Sequence, residues 1–180
     1  MKTINLKEKY QEIIPQLKKD LGINNTLAVP KIEKVVINVG VGKIRGDEQA
    51  MKEIENHLAM ITGLKPTKTR ARKAISAFKV REGMVVGYKV TLRKQKMWDF
   101  LTRLLYLALP RVRDFRGLPR KSFDKKGNFT IGIKEQIIFP EIANENIKNI
   151  FGLEICLTTT AQNKSEGEKL LTLLEFPFKK

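Results

Sequence analysis

The sequence has little of what catalytic and secreted proteins usually build on. Its 180 residues include one cysteine and one histidine. A lone cysteine closes no disulfide within the chain, and one Cys with one His supplies no Cys/His zinc site. No apolar run reaches the roughly 18 residues that a spanning helix needs. The N-terminal stretch MKTINLKEKYQEII is charged throughout and has no apolar signal core, which predicts a cytoplasmic protein. Acid is scarce as well. Nineteen Asp and Glu face 35 Lys and Arg, giving a formal charge of +16. Such a balance calls for an anionic partner, either nucleic acid or a membrane surface. With no segment for a bilayer, nucleic acid is the expected one. The apolar fraction of 42% supports a real core and excludes wholesale disorder.

The cations are concentrated. KPTKTRARKAISAFKVR (65–81) holds seven Lys or Arg and no carboxylate, and acid first returns at Glu82. Like charges at this density repel unless phosphate or another anion sits among them. Phe78 lies inside the stretch, and an aromatic among cations suits stacking on a base.

The length fits one domain. Leu6, Tyr10, Ile13, Ile14, Leu17 and Leu21 recur at helical spacing and predict a helix over 4–21, with Pro15 inside it. EKVVINVG (33–40) reads as a strand, followed by a glycine turn and a helix capped by Asp47 and ended by Gly63. In VVGYKVTLR (85–93), Val86, Tyr88, Val90 and Leu92 alternate with Gly87, Lys89, Thr91 and Arg93. One face of that strand is apolar and the other polar and basic. KQKMWDFLTRLLYLAL (94–109) predicts a helix ended by Pro110. NFTIGI reads as a strand that QIIF extends or follows, ENIKNIF as a short helix, and LEICLTTT (153–160) as a strand. The last helix runs from Ser165 to Leu174 behind the capping box Ser165–Glu168. This order predicts an α+β fold over a 33–180 core. Its antiparallel or mixed sheet carries helices on one side in a split β-α-β arrangement of ferredoxin or RRM type. The open sheet face is then the platform for RNA, flanked by long basic loops at 66–84 and 111–128.

Catalytic constellations are missing. His57 sits in EQAMKEIENHLAMI and reads as a surface or boundary residue. Cys156 reads as a small core residue, since no His lies in its strand and no cation adjoins it. Trp98 and Phe100 read as core. Glu135 and Glu141 read as solvated or ion-paired carboxylates. The turn GVGKIRG (40–46) fails both the Rossmann and the Walker spacing. Its context admits phosphate near Lys43 and the backbone amides, and equally a plain tight turn. An RNA chaperone and an RNA-modifying enzyme are the competing classes. The first would bind many RNAs alike, and the second would need a cofactor pocket.

Several segments together resemble the bacterial large-subunit ribosomal protein five family. They are VPKIEKVVINVGVG (29–42), the ITG and KP around 61–66, KAISAFKVREGMVVGYKVTLR (73–93), LPRVRDFRG (109–117), SFDKKGNFTIGIKEQIIFPEI (122–142) and LLTLLEFPF. The resemblance runs nearly end to end. It implies a non-catalytic ribosomal component, without cofactor, that holds 5S rRNA in the central protuberance beside 23S rRNA and other 5S-binding proteins. The implied rRNA-binding set is Asn38, Gly40, Gly42, Lys43, Phe78, Lys89, Thr91 and Arg93. The basic loop, through Arg70, Arg72, Lys73, Ser76, Lys79 and Arg81, is implied to reach tRNA in the P site. Arg111, Arg113, Asp114 and Arg116 are implied to bridge to small-subunit ribosomal protein thirteen. Many members of that family carry glutamine where Leu64 stands here, so Leu64 is left out of the set.

Overall fold

The structure is a computed structural model that describes residues 5–44, 46–143, 145 and 147–179, apart from the Lys43 side chain. Its strands are β1 (Ile32–Gly40), β2 (Thr67–Arg70), β3 (Val85–Leu92), β4 (Phe129–Ile133) and β5 (Leu153–Thr159). Its α-helices are α1 (Leu6–Leu21), α2 (Glu48–Thr62), α3 (Lys94–Arg103) and α4 (Lys164–Leu173). The class is α+β, with an open antiparallel sheet of spatial order β2-β3-β1-β5-β4. Because β3 lies between β1 and β2, the β1-α2-β2 segment is a split β-α-β unit. The chain divides into two compact units. One comprises Met1–Val35, Leu92–Ile131 and Cys156–Lys180, and the other Val36–Thr91 and Gly132–Ile155.

In the second unit, Ile37 and Val39 of β1 and Tyr88 and Val90 of β3 point into a core shared with Ile54, Leu58 and Ile61 of α2. Asp47 caps α2 by accepting from the Gln49 and Ala50 amides, both at 3.0 Å. Gly63 ends it in a left-handed conformation, φ 66°. In the β2/β3 register Thr67 faces Lys89, Lys68 faces Tyr88, and Thr69 faces Gly87.

Two readings of this unit are corrected. QIIF is no strand: Gln136–Ile138 forms a 3-10 turn. Pro140 follows closely and has no N–H to give a ladder. ENIKNIF forms no helix over 147–151, while Asn144 and Asn146 lie outside the described residues. The amides that a helix would use are engaged elsewhere. Glu53 accepts from the Lys148 amide at 3.0 Å and from the Asn149 amide at 3.3 Å. Buried Gln136 accepts from the Phe151 amide at 2.8 Å and donates to the Asn149 carbonyl at 2.7 Å.

In the first unit, α1 begins at Leu6 because Asn5 is its cap, accepting from the Lys7 amide at 3.1 Å. Tyr10 stacks on Trp98 with centroids 5.6 Å apart. Trp98 and Phe100 are core residues, as expected. α3 stops at Arg103, short of 109. Leu104–Ala108 is wound as a π-helix, with the Leu109 amide donating to the Leu104 carbonyl, and a 3-10 turn Leu109–Arg111 follows. Pro110 accounts for this. It lacks an N–H, and its ring crowds the carbonyl four residues back, which a widened turn accommodates.

The cap of α4 is Asn163, two residues before the expected Ser165. Asn163 accepts from the Glu166 amide at 2.9 Å, and its amide nitrogen donates to the Glu166 carboxylate at 2.8 Å. Glu168 pairs with Arg120 instead. Just inside the helix, a Cβ on Gly167 would lie 2.7 Å from the Gly127 Cα. Alanine usually improves a helix by about 1 kcal/mol over glycine. Here Gly167→Ala is expected to lose about 1–2 kcal/mol net, because backbone blocks the methyl group. A urea midpoint at or above that of the parent protein would contradict this packing.

Two carboxylates tie loops by hydrogen bonds. Burial acts to raise the Glu53 carboxyl, but bonds from the Asn149 side chain and the Lys148 and Asn149 amides outweigh it, and the group sits below its ordinary value. Burial likewise opposes, and bonds from the Asn128 side chain and the Asn128 and Lys126 amides outweigh, at Asp124. A folded-state value below the unfolded one means the native state holds fewer protons as the unfolded chain takes them up. The contribution is therefore complete above the ordinary carboxylate range and is lost as pH falls through the depressed values. Urea midpoints should drop from about pH 5 to about pH 3. The drop should be smaller in Asp124→Asn and in Glu53→Gln.

Candidate nucleic-acid interface

The alternation that buries one side of β1 and β3 leaves the other unoccupied. Asn38 and Gly40 of β1 and Gly87, Lys89 and Thr91 of β3 occupy outward positions, and the β2/β3 register adds Thr67 and Thr69 of β2. Lys89 and Gly40 are exposed, and Asn38 and Thr91 half-buried. Among the described residues the side chains of Asn38, Lys89 and Thr91 have no hydrogen-bond or ion-pair partner. Hydroxyls, an amide and an ammonium thus point outward with their bonding capacity unused. Such a set can meet ribose hydroxyls, phosphate oxygens or base edges. Gly87 lets the strands lie close, since a Cβ there would stand 2.6 Å from the Val39 carbonyl oxygen. Thr67 and Thr69 were missed because the charges around them read as loop. The signal available was the alternation Thr-Lys-Thr-Arg itself.

Beyond β2 the chain forms a hairpin rather than a slack loop. The Ala71 amide donates to the Met84 carbonyl at 2.8 Å and the Gly83 amide to the Ala71 carbonyl at 3.0 Å. Ile75 and Val80 exchange backbone bonds of 2.8 and 3.1 Å around a turn at Ser76–Phe78. Arg70 braces the root by donating to the Gly83 carbonyl at 2.9 Å. Arg72, Lys73, Ser76, Lys79 and Arg81 are exposed at the tip. Phe78 belongs to this tip and not to the sheet, and is 66% exposed. Of the seven cations between 65 and 81, Lys68 points to the helix side, where it meets Glu55 at 3.5 Å.

Other expected residues fall elsewhere. β3 ends at Leu92, and Arg93, in the first unit, pairs with Glu33 at 3.3 Å. Gly42 is exposed in a 3-10 turn Gly42–Ile44. The Lys43 side chain and Arg45 lie outside the described residues. The amides at the α2 N-terminus already serve Asp47, whose carboxylate does not favour a phosphate there. In the first unit Arg111, Arg113, Asp114 and Arg116 are exposed. The chain after them is anchored where the Leu118 amide donates to the Pro177 carbonyl at 2.7 Å.

Two further residues depart from expectation. His57 is buried, not at the surface, with its ring against Phe151. Cys156 is only half-buried, because Ile155 and Leu157 take the inward positions of β5. Among the described residues no His/Cys/Asp/Glu cluster could hold a metal, and no helix is long and apolar enough to cross a membrane.

A basic chain with an open polar sheet face and a cationic hairpin defines a nucleic-acid-binding protein. Residues 25–81 match the family described as Ribosomal protein L5, and residues 85–178 match the C-terminal region of that same ribosomal family. The chain is 50% identical over 175 residues to the large ribosomal subunit protein uL5 of Rubrobacter xylanophilus, covering 97% of each chain. The chain therefore belongs to the ribosomal protein L5 family, whose members are non-enzymatic, rRNA-binding constituents of the large ribosomal subunit in the cytoplasm.

Proposed function

We propose that this protein holds 5S rRNA on its open sheet face, within the central protuberance and beside 23S rRNA and other 5S-binding proteins. The observation that carries the reading is the outward row of Asn38, Lys89 and Thr91, polar groups with no internal partner among the described residues. The hairpin over 71–84 is the natural contact for P-site tRNA. Its Arg72, Lys73, Lys79 and Arg81 supply charge and its Phe78 a stacking surface. The exposed Arg111, Arg113, Asp114 and Arg116 are the surface for small-subunit ribosomal protein thirteen. Lysine and arginine contacts give affinity that falls with salt, while the row on the sheet fixes register.

Binding to 5S rRNA, measured against an equal-length unrelated structured RNA at several salt concentrations, tests the first claim. A preference for 5S rRNA that survives physiological salt is expected. Equal affinities that vanish together as salt rises would favour a general RNA chaperone.

A further inference from the structure

A second concentration of charge is assembled in the first unit from two segments distant in sequence. The Leu118 amide donates to the Pro177 carbonyl at 2.7 Å and the Lys179 amide to the Leu118 carbonyl at 2.9 Å, which lays residues 177–179 along the start of the 118–128 segment. Phe178 ties the segments together by packing on Phe123 and Phe129, with centroids 5.6 and 5.4 Å away. Together they hold Arg120, Lys121, Lys125, Lys126 and Lys179 against Asp124 alone, net +4. Lys125 and Lys126 sit in a turn that is fixed by its own bonds. The Asp124 carboxylate accepts from the Lys126 and Asn128 amides at 2.9 and 2.8 Å and from the Asn128 side chain at 2.7 Å. The Gly127 carbonyl accepts from the Thr159 hydroxyl at 2.9 Å. A Cβ on Gly127 would stand 2.6 Å from the Asn163 carbonyl oxygen, so the turn is seated against the start of α4. The one carboxylate is thereby spent on holding the turn. Arg120 is engaged as well, by Glu168 and by the Phe178 ring. Lys121, Lys125 and Lys179 are exposed and have no hydrogen-bond or ion-pair partner among the described residues, and Lys126 is exposed beside Asp124.

We propose that this lysine cluster is a contact for the phosphate backbone of an RNA helix, separate from the row on the sheet face. Ammonium groups are donors only, and phosphate oxygens are the acceptors that suit them. Neither segment offers an exposed ring or an unpaired side-chain amide to read a base edge, so the contact is independent of sequence. The backbone that carries the lysines needs no ordering when RNA binds. The proposal rests on the rRNA-binding character of the family and not on the reading of the sheet face.

The probe is a duplex RNA of arbitrary sequence, bound to the full chain from low to physiological salt. Lys125→Ala combined with Lys126→Ala should weaken binding about tenfold at low salt and reduce the slope of log affinity against log salt by about 2. Lys19→Ala combined with Lys31→Ala removes the same charge from exposed positions of the same unit and should leave the slope nearly unchanged. Equal losses for the two pairs would show that net charge alone acts, and would overturn the proposal. Asp124→Ala separates the two accounts by sign. It removes a negative charge, so charge alone predicts tighter binding, whereas release of the fixed turn predicts weaker binding. Tighter binding would overturn the proposal. Should Asp124→Ala fail to fold, the lysine pairs still decide, because all four positions are exposed. By NMR the duplex should move the amides of Lys121, Lys125 and Lys126. A glutamate-rich peptide that moves them where the duplex does not would overturn the proposal in favour of an acidic protein partner.

Discussion

Replacing Gly87 by alanine is expected to cost about 3 kcal/mol, the upper end for overpacking, and to weaken RNA binding with it. Gly87 is buried in β3 with β2 on one side and β1 on the other. A methyl group there would stand 2.6 Å from the Val39 carbonyl oxygen and 3.0 Å from the Thr69 hydroxyl. The hydroxyl can rotate away, but the carbonyl belongs to β1 and moves only with the strand. The bond from the Val41 amide to the Val86 carbonyl, 3.0 Å long, lies next to the displaced point. The cost is one of contact and not of backbone conformation, because Gly87 is not among the positive-φ glycines. Gly40→Ala is the matched control. It lies on the same outward side, and nothing stands within 4 Å of its added Cβ. Its unfolding free energy from urea titration should match that of the parent to within about 0.5 kcal/mol. Equal losses for the two variants would show that close strand approach is not what Gly87 provides.

What could be read from the sequence depended on how local its cause was. The β1 and β3 alternation, the Asp47 cap and the Gly63 stop act within a few residues, and the structure has them where the pattern put them. Readings failed where a partner distant in sequence decided. The stretch 147–151 has helical spacing, but Gln136 and Glu53 take its amides, and neither lies in the window. The α4 cap moved because Asn163 could form a box with Glu166, while Glu168 was drawn to Arg120 from 48 residues away. The π-helix needed only Pro110, a local cause whose effect extends back a full turn. The polar face was legible on β3 because alternation is strict there. On β2 the same alternation was hidden under charge. His57 was misplaced because its ring is covered by Phe151, which arrives from the far end of the unit.

The largest effect on binding should come from Asn38. It is half-buried at the centre of β1, on the outward side, and has no side-chain partner within the described residues. In the bound state its amide can both donate and accept, so its RNA partners would be left buried and unpaired by Asn38→Ala. That loss is expected to be about 1–3 kcal/mol, or roughly five- to 150-fold in affinity for 5S rRNA. Asn38→Asp keeps the shape but exchanges two donors for a charge of the same sign as phosphate, and should cost several kcal/mol. The two variants differ in salt response as well. The alanine loss reports a lost hydrogen bond and should persist as salt rises, whereas part of the aspartate loss is repulsion and should be screened. Neither change enters the core, so urea midpoints should stay near that of the parent. Filter binding that shows no loss for Asn38→Ala would move the contact off this face, toward the hairpin tip. A loss for both variants that is the same at low and high salt would place Asn38 against uncharged base edges and not against the phosphate backbone.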